Sequence, residues 1–151
     1  MTGEVTMEGT IRANAPGIRD TLTGKLPEMV TKTAEAQGVH AHVHVAKIMP
    51  VTMNDASLTR AMVPALQKAS DGKATETLVN QAASEDFSYF AEKVPGLYVF
   101  LGATPKDQDP AKAASNHNPG FFVDESTLIT GVRSHVEYVL GYADYAKTLK
   151  K

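Results

Sequence analysis

The sequence predicts an α/β protein, and three observations carry that expectation. Residues 4–12 (EVTMEGTIR) and 39–45 (VHAHVHV) alternate apolar and polar residues, the two-residue period of a half-buried strand. Residues 97–102 (LYVFLG) are continuously apolar, as in a central strand covered on both faces. Other stretches place apolar residues at helical spacing.

In the first segment Val5, Met7 and Ile11 oppose Glu4, Thr6, Glu8, Thr10 and Arg12. Asn14 to Pro16 reads as a helix start, since an early helical position tolerates the missing proline N–H. Ile18, Leu22, Leu26, Met29 and Val30 follow at helical spacing. Pro27 interrupts them, and an interior proline costs about 3 kcal/mol, so a kink or break is expected there. Gly38 closes the helix as a C-cap. In the second segment Val39, Ala41, Val43 and Val45 face one way, and His40, His42 and His44 the other. Strand, helix and strand with one apolar sheet face suggest a small α+β layer.

Asp55 is placed to cap a helix carrying Leu58, Met62, Leu66 and Ala69, with Pro64 in its middle and Ser70-Asp71-Gly72 at its end. Residues 75–80 (TETLVN) are a candidate strand. Ser84 suits an N-cap, and Glu85 and Asp86 complement the dipole of a short helix reaching about Lys93, which would bury Phe87 and Phe90. Val94-Pro95-Gly96 is a turn, and residues 103–116 form a long loop of the kind that is functional or disordered. Asn118-Pro119-Gly120 makes another turn. Asp124 caps a last helix with Leu128, Val132, Val136, Val139 and Leu140 at helical spacing. A central strand needs neighbours and two covering layers. Only two good strands follow residue 55, so half of each layer is missing from the pattern.

The balance of 42% hydrophobic and 21% charged residues is that of a soluble globular protein, and 151 residues allow one domain or two small pieces. A net charge of −2 gives no sign of a nucleic-acid or anionic-membrane partner. No apolar run approaches the roughly 20 residues of a membrane span. MTGEVTMEG lacks the basic start and apolar segment of a signal peptide, and reads like the middle of a strand; localisation stays open between cytoplasm and periplasm. With no cysteine, disulfides and thiolate metal sites are excluded, leaving His, Asp and Glu as strong metal ligands.

His40, His42 and His44 could chelate a metal from one strand face. Side chains on that face lie about 6.5–7 Å apart and no carboxylate is near in sequence, so a polar, solvent-facing strand side is the favoured reading. Glu85 and Asp86 are read as helix N-terminal charges rather than catalytic acids, and His135 as a satisfied packing residue. His117 lies on a short loop flanked by Asn and Pro, where an imidazole can present a nitrogen to zinc; a solvent-exposed loop histidine is the plainer alternative.

Three stretches, in order and at matching spacing, carry a family resemblance: EVTMEGTIR, SEDFSYFAEKVPGLYVFLG (84–102) and SNHNPGFFVDESTLITGV (115–132). They resemble the C-terminal part of the dinuclear-metal amidohydrolases of the hippurate hydrolase, N-acyl-L-amino-acid amidohydrolase and auxin-conjugate hydrolase type. The resemblance implies the C-terminal part of a zinc-peptidase-like α/β catalytic domain (55–151), preceded by half of a ferredoxin-like lid or dimerisation domain (1–54). It also implies two divalent metal ions, zinc or manganese, with His117 as a ligand. Arg12 would bind the carboxylate of an N-acyl amino acid or short peptide, and the lid would form a homodimer. The remaining metal ligands and the Glu general base of the family fall in an N-terminal part that this sequence does not contain. The chain is therefore expected to be inactive alone. The alternative is a non-catalytic dimerisation or interaction module derived from such an enzyme.

Overall fold

The computed structural model describes residues 3–76 and 85–149. Four α-helices form among them: α1 (Pro16–Ala36), α2 (Ala56–Ala69), α3 (Phe87–Ala91) and α4 (Leu128–Thr148), the last preceded by a 3-10 turn at Glu125–Thr127. The chain divides into two compact units, Met1–Met53 with Leu78–Gly96, and Asn54–Thr77 with Leu97–Lys151.

In the first unit α1 begins with Pro16 in its first turn, as expected, and its cap residue Ala15 makes no side-chain capping bond. The helix runs through Pro27 rather than ending there, because one missing N–H does not divide a helix of 21 residues. Gly38 ends it with φ +72, its N–H donating to Glu35 O (3.0 Å) while Val39 N–H donates to Ala34 O (3.0 Å). These are the paired bonds of a Schellman motif, which needs the left-handed residue that glycine supplies. Downstream residues are tied back onto α1: Arg19 Nη1 donates to Met49 O (2.8 Å) and Lys47 Nζ to Asp20 Oδ1 (2.8 Å). The Tyr89 hydroxyl, beside α3, donates to Ile48 O.

In the second unit α2 carries the core. Asp55 caps it by accepting from Leu58 N–H (2.7 Å), and Leu58, Met62 and Ala69 are buried, as their spacing predicts. It ends at Ser70-Asp71-Gly72, with Gly72 at φ +79 donating to Gln67 O (2.8 Å). Here too an interior proline, Pro64, is carried within one continuous helix. α4 packs on α2 where Gly141 leaves room: a Cβ there would lie 3.3 Å from Ala65 Cβ and 3.7 Å from Met62 Sδ. Lys68–Glu137 (2.9 Å) and Arg133–Asp71 (3.7 Å) pair across the two helices.

The predicted strands are corrected. Among the described residues no strand forms, and residues 4–12, 39–45 and 97–102 have no regular secondary structure. A strand exists only with a hydrogen-bonded neighbour, so an alternating or apolar sequence alone cannot make one. Val5 and Met7 stand 77% and 86% exposed, so the first segment buries no apolar side. In 39–45 the alternation survives in burial: Ala41, Val43 and Val45 are half-buried, while His40, His42 and His44 are exposed. In 97–102 the side chain of Asn54 replaces a neighbouring strand at one residue, its Nδ2 donating to Tyr98 O (2.9 Å) and its Oδ1 accepting from Tyr98 N–H (2.7 Å). Most of the candidate strand at 75–80, and the Ser84 cap, lie outside the described residues.

Two expectations about apolar side chains also change. α3 spans five residues, and it buries Ser88 while Phe90 is 67% exposed; Phe87 is half-buried against Gly96, where a Cβ would meet its ring at 2.9 Å. On α4 the stripe Leu128, Val132, Val136, Val139 and Leu140 faces outward, each more than half exposed. Tyr138, Tyr142 and Tyr145 lie on another side of the helix in a run of ring contacts, with centroids 6.2 and 6.1 Å apart.

Candidate functional site

The stretch between residue 103 and α4 is built from local turns. Gln108 N–H donates to Pro105 O (3.0 Å), and both Lys112 and Ala113 donate to Asp109 O (3.0 and 3.1 Å). Next comes the segment around His117. Asn118 N–H donates to Ser115 O (3.2 Å), Phe121 N–H donates to Asn118 O (2.9 Å), and Gly120 N–H donates to Asn118 Oδ1 (2.8 Å). His117 stands between these bonds at φ +68, in the left-handed region that non-glycine residues rarely occupy. Its side chain is exposed. The base of the loop is fixed to the end of the apolar segment 97–102 through Asp124 N–H, which donates to Ala103 O (2.8 Å). Asp124 Oδ1 accepts from Ser126 N–H (2.9 Å) and so caps the 3-10 turn that leads into α4, as its position predicts. The bonds from Ser126, side chain first and then backbone, hold the Asp124 carboxyl below its ordinary pKa.

An exposed imidazole on a hydrogen-bonded loop has the donor chemistry of a zinc or manganese ligand. It is a single donor. Among the described residues no group of three or more His, Asp and Glu could hold a metal ion, so a two-metal site does not fit within them. His40, His42 and His44 accordingly form no such group.

Arg12 is exposed, in a segment without regular secondary structure, and belongs to the first unit; His117 belongs to the second. Asp86 occupies the N-cap position of α3 without a side-chain capping bond, and Glu85 O accepts from Ser88 N–H (3.1 Å), in keeping with a role at a helix start. His135 is exposed rather than packed, and its Nδ1 meets Gly131 O one turn earlier (2.9 Å). Sequence reasoning missed two residues that organise this unit. Asn54 gave no signal beyond its place before a cap. Asn118 was visible as the first residue of an Asn-Pro-Gly turn, but its bond back to Ser115 was not.

A family model described as Peptidase family M20/M25/M40 matches residues 3–141. Among curated proteins the chain is 27% identical over 139 residues to "Thermostable carboxypeptidase 2" of Saccharolobus solfataricus, covering 91% of this chain and 34% of that protein. It is 29% identical over 143 residues to "IAA-amino acid hydrolase ILR1-like 2" of Arabidopsis thaliana (91% and 31%). With "N-acetyl-L-cysteine deacetylase" of Bacillus subtilis the identity is 28% over 128 residues (83% and 28%). The chain thus spans about a third of the length of these relatives. No solved structure matches it.

Proposed function

Because the chain belongs to the peptidase family M20/M25/M40, a family of hydrolases, we propose that it is the C-terminal part of a metal-dependent amidohydrolase that cleaves the amide bond of N-acyl amino acids or short peptides. In this reading residues 1–54 are half of a lid that dimerises, and residues 55–151 close an α/β catalytic domain. The observation that carries it is His117, an exposed imidazole set in a left-handed turn inside the matched region. A left-handed non-glycine residue on a loop is a pointer to function when no helix end explains it.

Two bound divalent ions, zinc or manganese, would supply polarisation of the amide carbonyl and a more acidic water. The residues of this chain have narrower tasks. His117 holds one ion through a ring nitrogen. Arg12 orients the substrate carboxylate, because its planar fork can donate two parallel charge-assisted hydrogen bonds. The remaining ligands and the general base come from sequence of the kind that makes up the other two thirds of the relatives.

The purified chain, given zinc or manganese, is expected to show no hydrolysis of N-acyl amino acids, since one donor does not make a catalytic site. Turnover that His117→Ala abolishes would overturn this. In a family-length protein carrying these residues, His117→Ala should lower activity by at least about 100-fold, because even partners behind metal ligands cost 10- to 100-fold when removed. Arg12→Ala should raise KM more than it lowers kcat, the sign of lost ground-state binding. A kcat loss without a KM change would remove Arg12 from the carboxylate role.

A second reading, a non-catalytic dimerisation or interaction module, is favoured by the exposed apolar stripe of α4. Light scattering separates the two: a tight dimer that binds no metal supports the module.

A further inference from the structure

We propose that Asn118 is the positioning residue of His117, pinning its backbone in the left-handed conformation. Two consecutive turns meet at Asn118. In the first, its N–H donates to Ser115 O, which makes His117 the third of four turn residues. In the second, its carbonyl accepts from Phe121 N–H, with Pro119 and Gly120 between them. The side chain locks the second turn through Oδ1 and Gly120 N–H (2.8 Å). Backbone donor, backbone acceptor and side-chain acceptor of one residue are therefore all engaged between Ser115 and Phe121.

A third turn position with positive φ suits glycine or asparagine, so histidine stays there only if its surroundings hold it. The other non-glycine residue with positive φ among the described residues, Asp71 (φ +52), lies where α2 ends in Gly72. His117 has no helix end beside it, and the turn closed by Asn118 is what imposes its conformation. Gly120 belongs to the same device: a Cβ there would lie 3.3 Å from Asn118 Oδ1 and 3.7 Å from Ala114 Cβ. The purpose of the pin rests on the reading of His117 as a metal ligand, whereas the pin itself rests on the turn geometry.

The test is NMR on the chain, reading the amide-to-α-proton coupling and the Cα shift of His117. Asn118→Ala should abolish the left-handed signature of His117, and Asn118→Asp, which keeps the acceptor oxygen, should restore it. The α2 and α4 helical signals should be unchanged in both, which separates local release from unfolding. A left-handed His117 in Asn118→Ala, or no restoration in Asn118→Asp, would overturn the proposal. The ligand reading is scored apart, by the zinc bound to a family-length protein with and without His117→Ala. Equal metal content there would remove the ligand role and leave the pin standing.

Discussion

Asp55 shows how a single side chain sets an element. Its carboxylate accepts from Leu58 N–H, one of the donors that the first turn of α2 cannot pair within the helix. Asp55→Ala should cost about 1 kcal/mol and Asp55→Asn much less, since asparagine keeps the capping oxygen. Urea denaturation of the purified variants reads the difference, and equal losses would mean that the cap contributes nothing. This residue, like Gly38 and the Ser70-Asp71-Gly72 stop, was legible in the sequence because capping is local chemistry: the partners lie within five residues of one another. Asn54 was not legible, because it reaches Tyr98, 44 positions away. His117 was legible as a candidate from its motif, while its left-handed backbone follows from the bonds that Asn118 makes on either side.

Helices were legible for the same local reason, and strands were not. A helix pairs its own backbone, so the spacing in 56–69 is enough to predict which residues face inward. The segments 4–12, 39–45 and 97–102 have the pattern of strands, but pairing depends on a neighbour that no local pattern supplies. At this scale the contact of α2 with α4 is the element to test. Gly141 sits where a Cβ would lie 3.3 Å from Ala65 Cβ. Gly141→Leu should therefore destabilise the pair by about 1–3 kcal/mol through overpacking, despite its better helix propensity. A denaturation midpoint at or above that of the parent would show that the helices do not meet closely there. The helix starts and ends also carry an acid sensitivity. Asp20 is held below its ordinary pKa by the Lys47 hydrogen bond and charge, Asp124 by Ser126, and Asp144 by Lys147. Each folded pKa lies below the unfolded one, so the stabilisation is complete above the ordinary aspartate range and is lost as pH falls through the folded values. Denaturation midpoints should hold between pH 7 and pH 5 and fall below about pH 4. Asp124→Asn, which still caps but does not titrate, should shallow that fall, and an unchanged slope would remove Asp124 from the account.

For the whole molecule the telling fact is which side of α4 is covered. Gly141 meets α2, and Gly131 meets Leu101, where a Cβ would lie 3.2 Å from the leucine Cδ2. Leu128, Ile129, Val132, Val136, Val139 and Leu140 stand between 52% and 66% exposed. Helical spacing gathers these six on one side, within about a third of the circumference at 3.6 residues per turn. The periodicity was readable in the sequence, and the direction it faces was not: an apolar stripe announces that something covers it without saying what. Both readings of this chain need that stripe, either as the seat of further family sequence or as a contact between copies. Apolar patches of this kind drive association of whatever is at hand. The chain alone should accordingly self-associate with rising concentration, and Val132→Asp with Val136→Asp should shift it toward monomer. Because both positions point away from α2, helical content and the denaturation midpoint should stay close to those of the parent. Sedimentation velocity over a concentration series reads the first effect and circular dichroism the second. A parent that stays monomeric at high concentration would mean that the stripe is not sticky by itself, and a doubly substituted chain that unfolds would mean that the stripe is part of the core.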